Sequence, residues 1–167
     1  MITLVLGGAR SGKSAVAEER ALTLARGGTV VYVATASAGD DADLAARIRS
    51  HQTRRPASWR TVEAGSGLPA ALMRIDPDVA VVIDSLGTWV GSQPDFAVDV
   101  VRLLAALRAR TGPTVVVSDE VGLGVHPSTE PGRRFRDALG ELNQAVADAA
   151  DDVLLVVAGR ILPLVRP

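Results

Sequence analysis

Cysteine is absent from the 167 residues. That excludes a disulfide scaffold, a thiolate metal site and a cysteine nucleophile. No apolar run reaches the ~18–20 residues needed to cross a bilayer, so no transmembrane segment is expected. Neither sign of charge is in excess: the formal net charge is -1, which argues against a general nucleic-acid binder. With 47% hydrophobic residues, the near-neutral balance also excludes intrinsic disorder. Lysine is the sharpest scarcity. Lys13 stands alone, and every other basic side chain among the 18 is Arg. A codon bias explains the arginines, while the place where lysine is kept asks for a reason of its own.

What is present alternates. Apolar, β-rich runs at 2–6, 29–34, 60–63, 79–84, 114–118 and 153–158 read as strands, and the longer ones are continuous, as strands covered on both faces are. Stretches rich in Ala, Leu and Arg at 14–26, 41–52, 68–74, 96–110 and 133–150 carry helical spacing. Gly27-Gly28 and Gly112-Pro113 mark two returns from helix to strand. This order predicts an α/β fold, a mostly parallel central sheet with helices on both faces, in one domain over 1–167. The N-terminus reads as a first strand rather than a signal peptide, and a cytoplasmic protein is the default. The longest candidate loops, 36–40 and 121–132, each follow a strand, where open α/β sheets bind ligands.

Residues 7–14 explain the lysine. Gly7, Gly8, Ala9, Arg10, Ser11, Gly12, Lys13 and Ser14 fit G-x-x-x-x-G-K-[ST] in full, after a strand and before a helix. Glycines let successive N–H groups turn inward, and these donors together with a helix N-terminus favour a polyphosphate. Lys13 adds a compact ammonium on a flexible stem, which a planar guanidinium does not replace. Ser14 offers a hydroxyl to Mg²⁺. Val81-Val82-Ile83-Asp84 is an apolar strand ending in a carboxylate, suited to hold Mg²⁺ or its water shell, although a helix N-cap is the plainer use of such an aspartate. Asp119-Glu120 ends another strand and is open between base or substrate work and a turn. His51 lies among Arg47, Arg49, Arg54 and Arg55. Neighbouring cations keep an imidazole neutral and nucleophilic, able to take a nucleotidyl group covalently, but from composition alone a solvated helix end is the simpler reading. His126 reads as a loop residue without chemistry.

Taken together, GGARSGKS at 7–14, Tyr32-Val33-Ala34-Thr35 and Arg47-Ile48-x-x-His51-x-x-x-Arg55-Pro56-x-x-Trp59-Arg60-Thr61-Val62-Glu63 resemble the bifunctional adenosylcobinamide kinase/adenosylcobinamide-phosphate guanylyltransferase family. Val82-Ile83-Asp84-Ser85-Leu86 with Trp89, Glu120-Val121-Gly122-Leu123-Gly124, Arg134-Phe135-Arg136-Asp137 with Gly140 and Asn143-Gln144, and Leu155-Val156-Val157-Ala158-Gly159 agree with it. The resemblance runs from residue 2 to about 159. It implies a RecA-like P-loop NTPase fold, a homotrimer, and a late step of cobalamin assembly. ATP or GTP phosphorylates adenosylcobinamide; GMP then passes from GTP through a covalent GMP-histidine to that phosphate, giving adenosylcobinamide-GDP and pyrophosphate. On motif position the histidine is His51, with Lys13 as the other catalytic residue. Nucleotide contacts carry over to residues 7–14, to Val33, Ala34 and Thr35, to His51, Gln52, Thr53 and Arg54, to Glu63 (guanine edge or ribose) and to Asp84. Ser14 and Asp84 would hold Mg²⁺, partly through water. Where the family often has Cys-Leu-Thr after this aspartate, the chain has Ser85-Leu86-Gly87.

Kinase chemistry attacks a γ-phosphorus and guanylyl transfer an α-phosphorus. A small-residue hinge at 36–40 that lets the His51 helix swing would reconcile them. A plain P-loop kinase with a structural His51, or a nucleotide-dependent switch without small-molecule chemistry, are the alternatives.

Overall fold

The computed structural model describes residues 1–36 and 56–166. The expected helix over 41–52, the hinge beyond Ala36, and His51, Gln52, Thr53 and Arg54 lie outside the described residues. Seven strands form one sheet: β1 (Ile2–Gly7), β2 (Val30–Ala34), β3 (Arg60–Glu63), β4 (Ala80–Asp84), β5 (Thr114–Asp119), β6 (Asp152–Val157) and β7 (Arg160–Leu164). Their order is β3-β2-β4-β5-β1-β6-β7. All neighbours run parallel except β6 and β7, which are antiparallel. The architecture is the mostly parallel α/β sheet the alternation predicts.

Burial on both faces explains the continuous apolar strands. Leu4, Leu6, Val31, Val33, Val81, Ile83 and Val116 belong to one core. Val5, Val30, Tyr32, Val82, Val115, Val117 and Val156 belong to the other, the alternation that pleating imposes. Helix α1 (Lys13–Ala25) closes the second core through Ala17 and Ala21. The first is covered by α2 (Leu68–Leu72), α3 (Leu86–Gly91), α4 (Val100–Arg108) and α5 (Glu130–Ala149). At the end of the sheet away from the phosphate loop, Arg110 is only 7% exposed. Its guanidinium donates to Thr114 Oγ1 and to the carbonyls of Asp76 and Val79. Burial lowers its pKa, with Asp76 opposing the shift.

Two elements go beyond what the sequence pattern predicts. Helix α3 has two glycines and β-branched residues, a poor intrinsic helix. It forms because Ser85 and Thr88 make a reciprocal capping box, and because Leu86, Trp89 and Val90 are buried. Strand β7 lies in a tail whose sequence suggests no role. Ala158 and Gly159, with φ of 49° and 72°, make the two-residue turn that folds it back on β6. Pro163 is accommodated because β7 is an edge strand.

Candidate active site

The register of the parallel strands lines up the carboxyl ends that carry the candidate residues. Glu63 lies opposite Ala34, and Ala34 opposite Asp84, on adjacent strands. One step on, Asp119 lies opposite Gly7, where β1 enters the phosphate loop. Glu63 and Asp84 are two strands apart, about 10 Å between backbones.

The loop itself is compact. Gly12 has φ 94°, a left-handed conformation that ordinary side chains avoid, and directly precedes α1. The Ser11 hydroxyl accepts from the Lys13 N–H at 3.4 Å. Gly159 N donates to the Ser11 carbonyl at 2.8 Å, so the β6–β7 turn seats directly on the loop. The C-terminal tail thus buttresses the phosphate site. Lys13 Nζ donates to the Gly8 carbonyl at 3.2 Å and pairs with Asp119 Oδ1 at 2.7 Å. The Lys13 side chain is only 12% exposed and that of Asp119 30%. Ser14 opens α1 beside Lys13.

Asp84 ends β4 as expected, and Tyr32 Oη donates to its Oδ2 at 2.7 Å. Trp59 packs on Tyr32 with ring centroids 6.4 Å apart. The Pro56-x-x-Trp59 part of the sequence signature thereby gains a physical role, because the indole backs the phenol that holds the acidic strand end. Tyr32 belongs to the resemblance, which assigns it no role; a hydroxyl aimed across 52 residues of chain leaves no local signal. A hydroxyl from Ser14 and a carboxylate from Asp84 are the hard oxygen donors Mg²⁺ prefers, so the residues fit that ion.

The remaining expected contacts are placed as follows. Val33 is fully buried in the sheet, paired on both sides. Ala34 is half-buried at its end, and its carbonyl accepts from Ala64 N. Thr35 is 1% exposed; its hydroxyl donates to the Ser85 carbonyl and meets Thr88 Oγ1. It ties the end of β2 to the start of α3. Glu63 is exposed and borders a cavity of about 280 Å³ with Arg60, Val62, Ala71, Arg74 and Ile75. The second signature block works from behind. Asn143 on α5 accepts from the Ser118 hydroxyl at 2.6 Å and donates to the Asp119 carbonyl at 3.1 Å. It fixes the strand end that carries Asp119. His126 sits 2.9 Å from Arg136 through Nδ1, in keeping with a loop residue. Among the described residues no group of three or more His, Cys, Asp or Glu gathers as a metal cluster.

Comparison with known proteins supplies what the geometry leaves open. The profile of the family described as cobinamide kinase / cobinamide phosphate guanyltransferase matches residues 3–164. The chain belongs to this family. It is 41% identical to the bifunctional adenosylcobalamin biosynthesis protein CobP of Pseudomonas aeruginosa, over 98% of this chain and 97% of that one. It is 37% identical to the bifunctional adenosylcobalamin biosynthesis protein CobU of Salmonella typhimurium, over 95% of this chain and 97% of that one. Among solved structures, the flagellar accessory protein FlaH of Methanocaldococcus jannaschii aligns with 96% of this chain and 74% of its own. The TM-score is 0.55 at 13% identity, a likeness of fold alone. The fold agrees with the RecA-like P-loop arrangement that the family resemblance implies. As a member of the family the chain is a bifunctional enzyme of cobalamin biosynthesis, a cobinamide kinase and a cobinamide phosphate guanylyltransferase that uses GTP or ATP.

Proposed function

We propose that the chain, as one catalytic domain over 1–167, performs both transfers at the phosphate loop, with GMP carried covalently on His51. The observation that supports this most is the placement of the sole lysine. Lys13 follows the left-handed Gly12 at the start of α1, with its ammonium turned back over the loop toward Gly8. The loop amides and the helix N-terminus bind the polyphosphate, and Lys13 neutralises charge building on the oxygens between phosphates. In the first transfer the corrinoid's aminopropanol hydroxyl attacks the γ-phosphorus. In the second, the neutral His51 imidazole attacks the α-phosphorus of GTP, pyrophosphate leaves, and the corrinoid phosphate displaces the imidazole. Glu63 recognises the guanine edge or ribose, and the half-buried Ala34 with residues 52–54 completes the nucleotide contacts, while the expected contacts of Val33 and Thr35 give way to a supporting role because both side chains are buried behind the strand end. Incubating the purified protein with adenosylcobinamide, GTP and magnesium is expected to yield adenosylcobinamide-GDP and pyrophosphate. Phosphorylated corrinoid as the only product favours a simple kinase, and GTP bound without turnover favours a switch.

Mg²⁺, held by Ser14 and Asp84, partly through water, would supply charge neutralisation on the triphosphate. Tyr32 orients the Asp84 carboxylate for that work. Asp84→Asn is expected to raise the magnesium concentration for half-maximal activity at least about tenfold, since a charged ligand becomes neutral. A magnesium titration unchanged from wild type contradicts the assignment.

The working form is a homotrimer in the cytoplasm. Ile161 and Leu162 on the edge strand β7 are more than half exposed, and Val165 beyond it is 88% exposed, a surface suited to burial against a second copy. No helix among the described residues is long and apolar enough to cross a membrane.

A further inference from the structure

We propose that Asp119 is the catalytic carboxylate of the kinase step, taking the proton from the attacking corrinoid alcohol; this rests on the kinase reading above. Three acidic side chains stand at or just beyond the central strand ends, and their surroundings differ. Asp84 receives the Tyr32 hydroxyl. Glu120 accepts from Gly122 N and caps its own loop. Asp119 faces the Lys13 ammonium at 2.7 Å, the group that turns to the phosphates when a nucleotide enters. The carboxylate therefore lies one ammonium's reach from the transferred phosphoryl group.

The fold makes room for that carboxylate. A Cβ at position 87 would overlap Asp119 Oδ2, so Gly87 leaves the slot that the side chain fills. The backbone beneath is pinned on three sides. Asn143 donates to the Asp119 carbonyl, Ser118 bonds to the same asparagine, and Glu120 N donates to the Gly7 carbonyl. A fixed carboxylate whose partner is a flexible cation becomes a free hydrogen-bond acceptor once the cation is drawn to phosphate.

In the step, the alcohol oxygen forms a bond to the γ-phosphorus while the bond from that phosphorus to the β,γ-bridging oxygen breaks. The nucleoside diphosphate leaves with the bonding electron pair, and the alcohol proton passes to an Asp119 oxygen. Guanylyl transfer has no such proton. Its nucleophiles are a neutral imidazole lone pair and then a phosphate oxygen, so Asp119 matters to the first transfer only.

The test is Asp119→Asn in the full chain, assayed with adenosylcobinamide and, separately, with adenosylcobinamide phosphate. Positioned general bases contribute roughly 10²–10⁴-fold. Phosphorylation kcat is expected to fall about 100-fold or more, with the KM for GTP within about threefold. Supplying adenosylcobinamide phosphate is expected to bypass the defect, with conversion within about threefold of wild type. Phosphorylation within about threefold of wild type overturns the proposal. So does a joint fall of both transfers with GTP affinity, which would make Asp119 a positioning residue for Lys13. Should the variant fail to fold, Gly87→Ala displaces the same carboxylate. Selective loss of phosphorylation then supports the assignment, and unchanged phosphorylation overturns it. Wild-type protein that forms neither product instead refutes the underlying reading.

Discussion

Lys13→Ala is expected to abolish phosphorylation of adenosylcobinamide and guanylylation together. The two reactions break different phosphate bonds, but both build negative charge on triphosphate oxygens held by the same loop. Lys13 is half of an ion pair with Asp119 and is only 12% exposed, so its charge acts where water screens it weakly. Removing one preorganised charge-stabilising group costs about 10²–10³-fold in rate, or about 2.7–4 kcal/mol of transition-state stabilisation. The same substitution strands Asp119 beside the phosphate site without its cation, which adds repulsion against an entering triphosphate. Steady-state assays of each half-reaction, with titration of GTP binding, check this. Loss of one activity with the other intact would place the two reactions at different phosphate sites.

His51→Ala is expected to separate them. Without the imidazole there is no acceptor for GMP, so guanylylation should fall to background, a loss of at least about 10³-fold for a missing covalent nucleophile. Phosphorylation uses the corrinoid hydroxyl as nucleophile and should stay within about threefold of wild type. Quantifying adenosylcobinamide phosphate against adenosylcobinamide-GDP gives both numbers from one reaction. Accumulation of the phosphate is the expected outcome, whereas loss of both products would show that His51 serves the phosphate site as a whole.

Much of this site is readable in the chain because its parts are local. The phosphate loop has fixed spacing, since a backbone cradle followed at once by a helix start needs particular residues in particular order. Asp84 stands out as the polar end of an apolar strand, and the parallel sheet puts such ends on one side. The unreadable parts are contacts between distant segments. Tyr32 reaches Asp84, Trp59 packs at a tilt against Tyr32, Asn143 holds the end of β5, and Gly159 props Ser11. Each depends on register and packing, which the local pattern does not carry. Helix α3 escapes the pattern because capping and burial override poor propensity, and β7 because a single tight turn decides it. The Asp119 side of the site has only a pair of acidic residues at a strand end as a signal. Its meaning comes from the ammonium and the glycine that face it. The histidine is the opposite case: the surrounding arginines favour a solvated helix end, and the wider motif reverses that reading.

The most direct measurement uses GTP labelled at the α-phosphate, mixed with the purified protein and magnesium, then acid- and alkali-treated. Label retained on the protein, stable in alkali, lost in acid and absent from His51→Ala, is the predicted result. Protein that turns over adenosylcobinamide and GTP yet never carries the label would contradict a guanylylated imidazole.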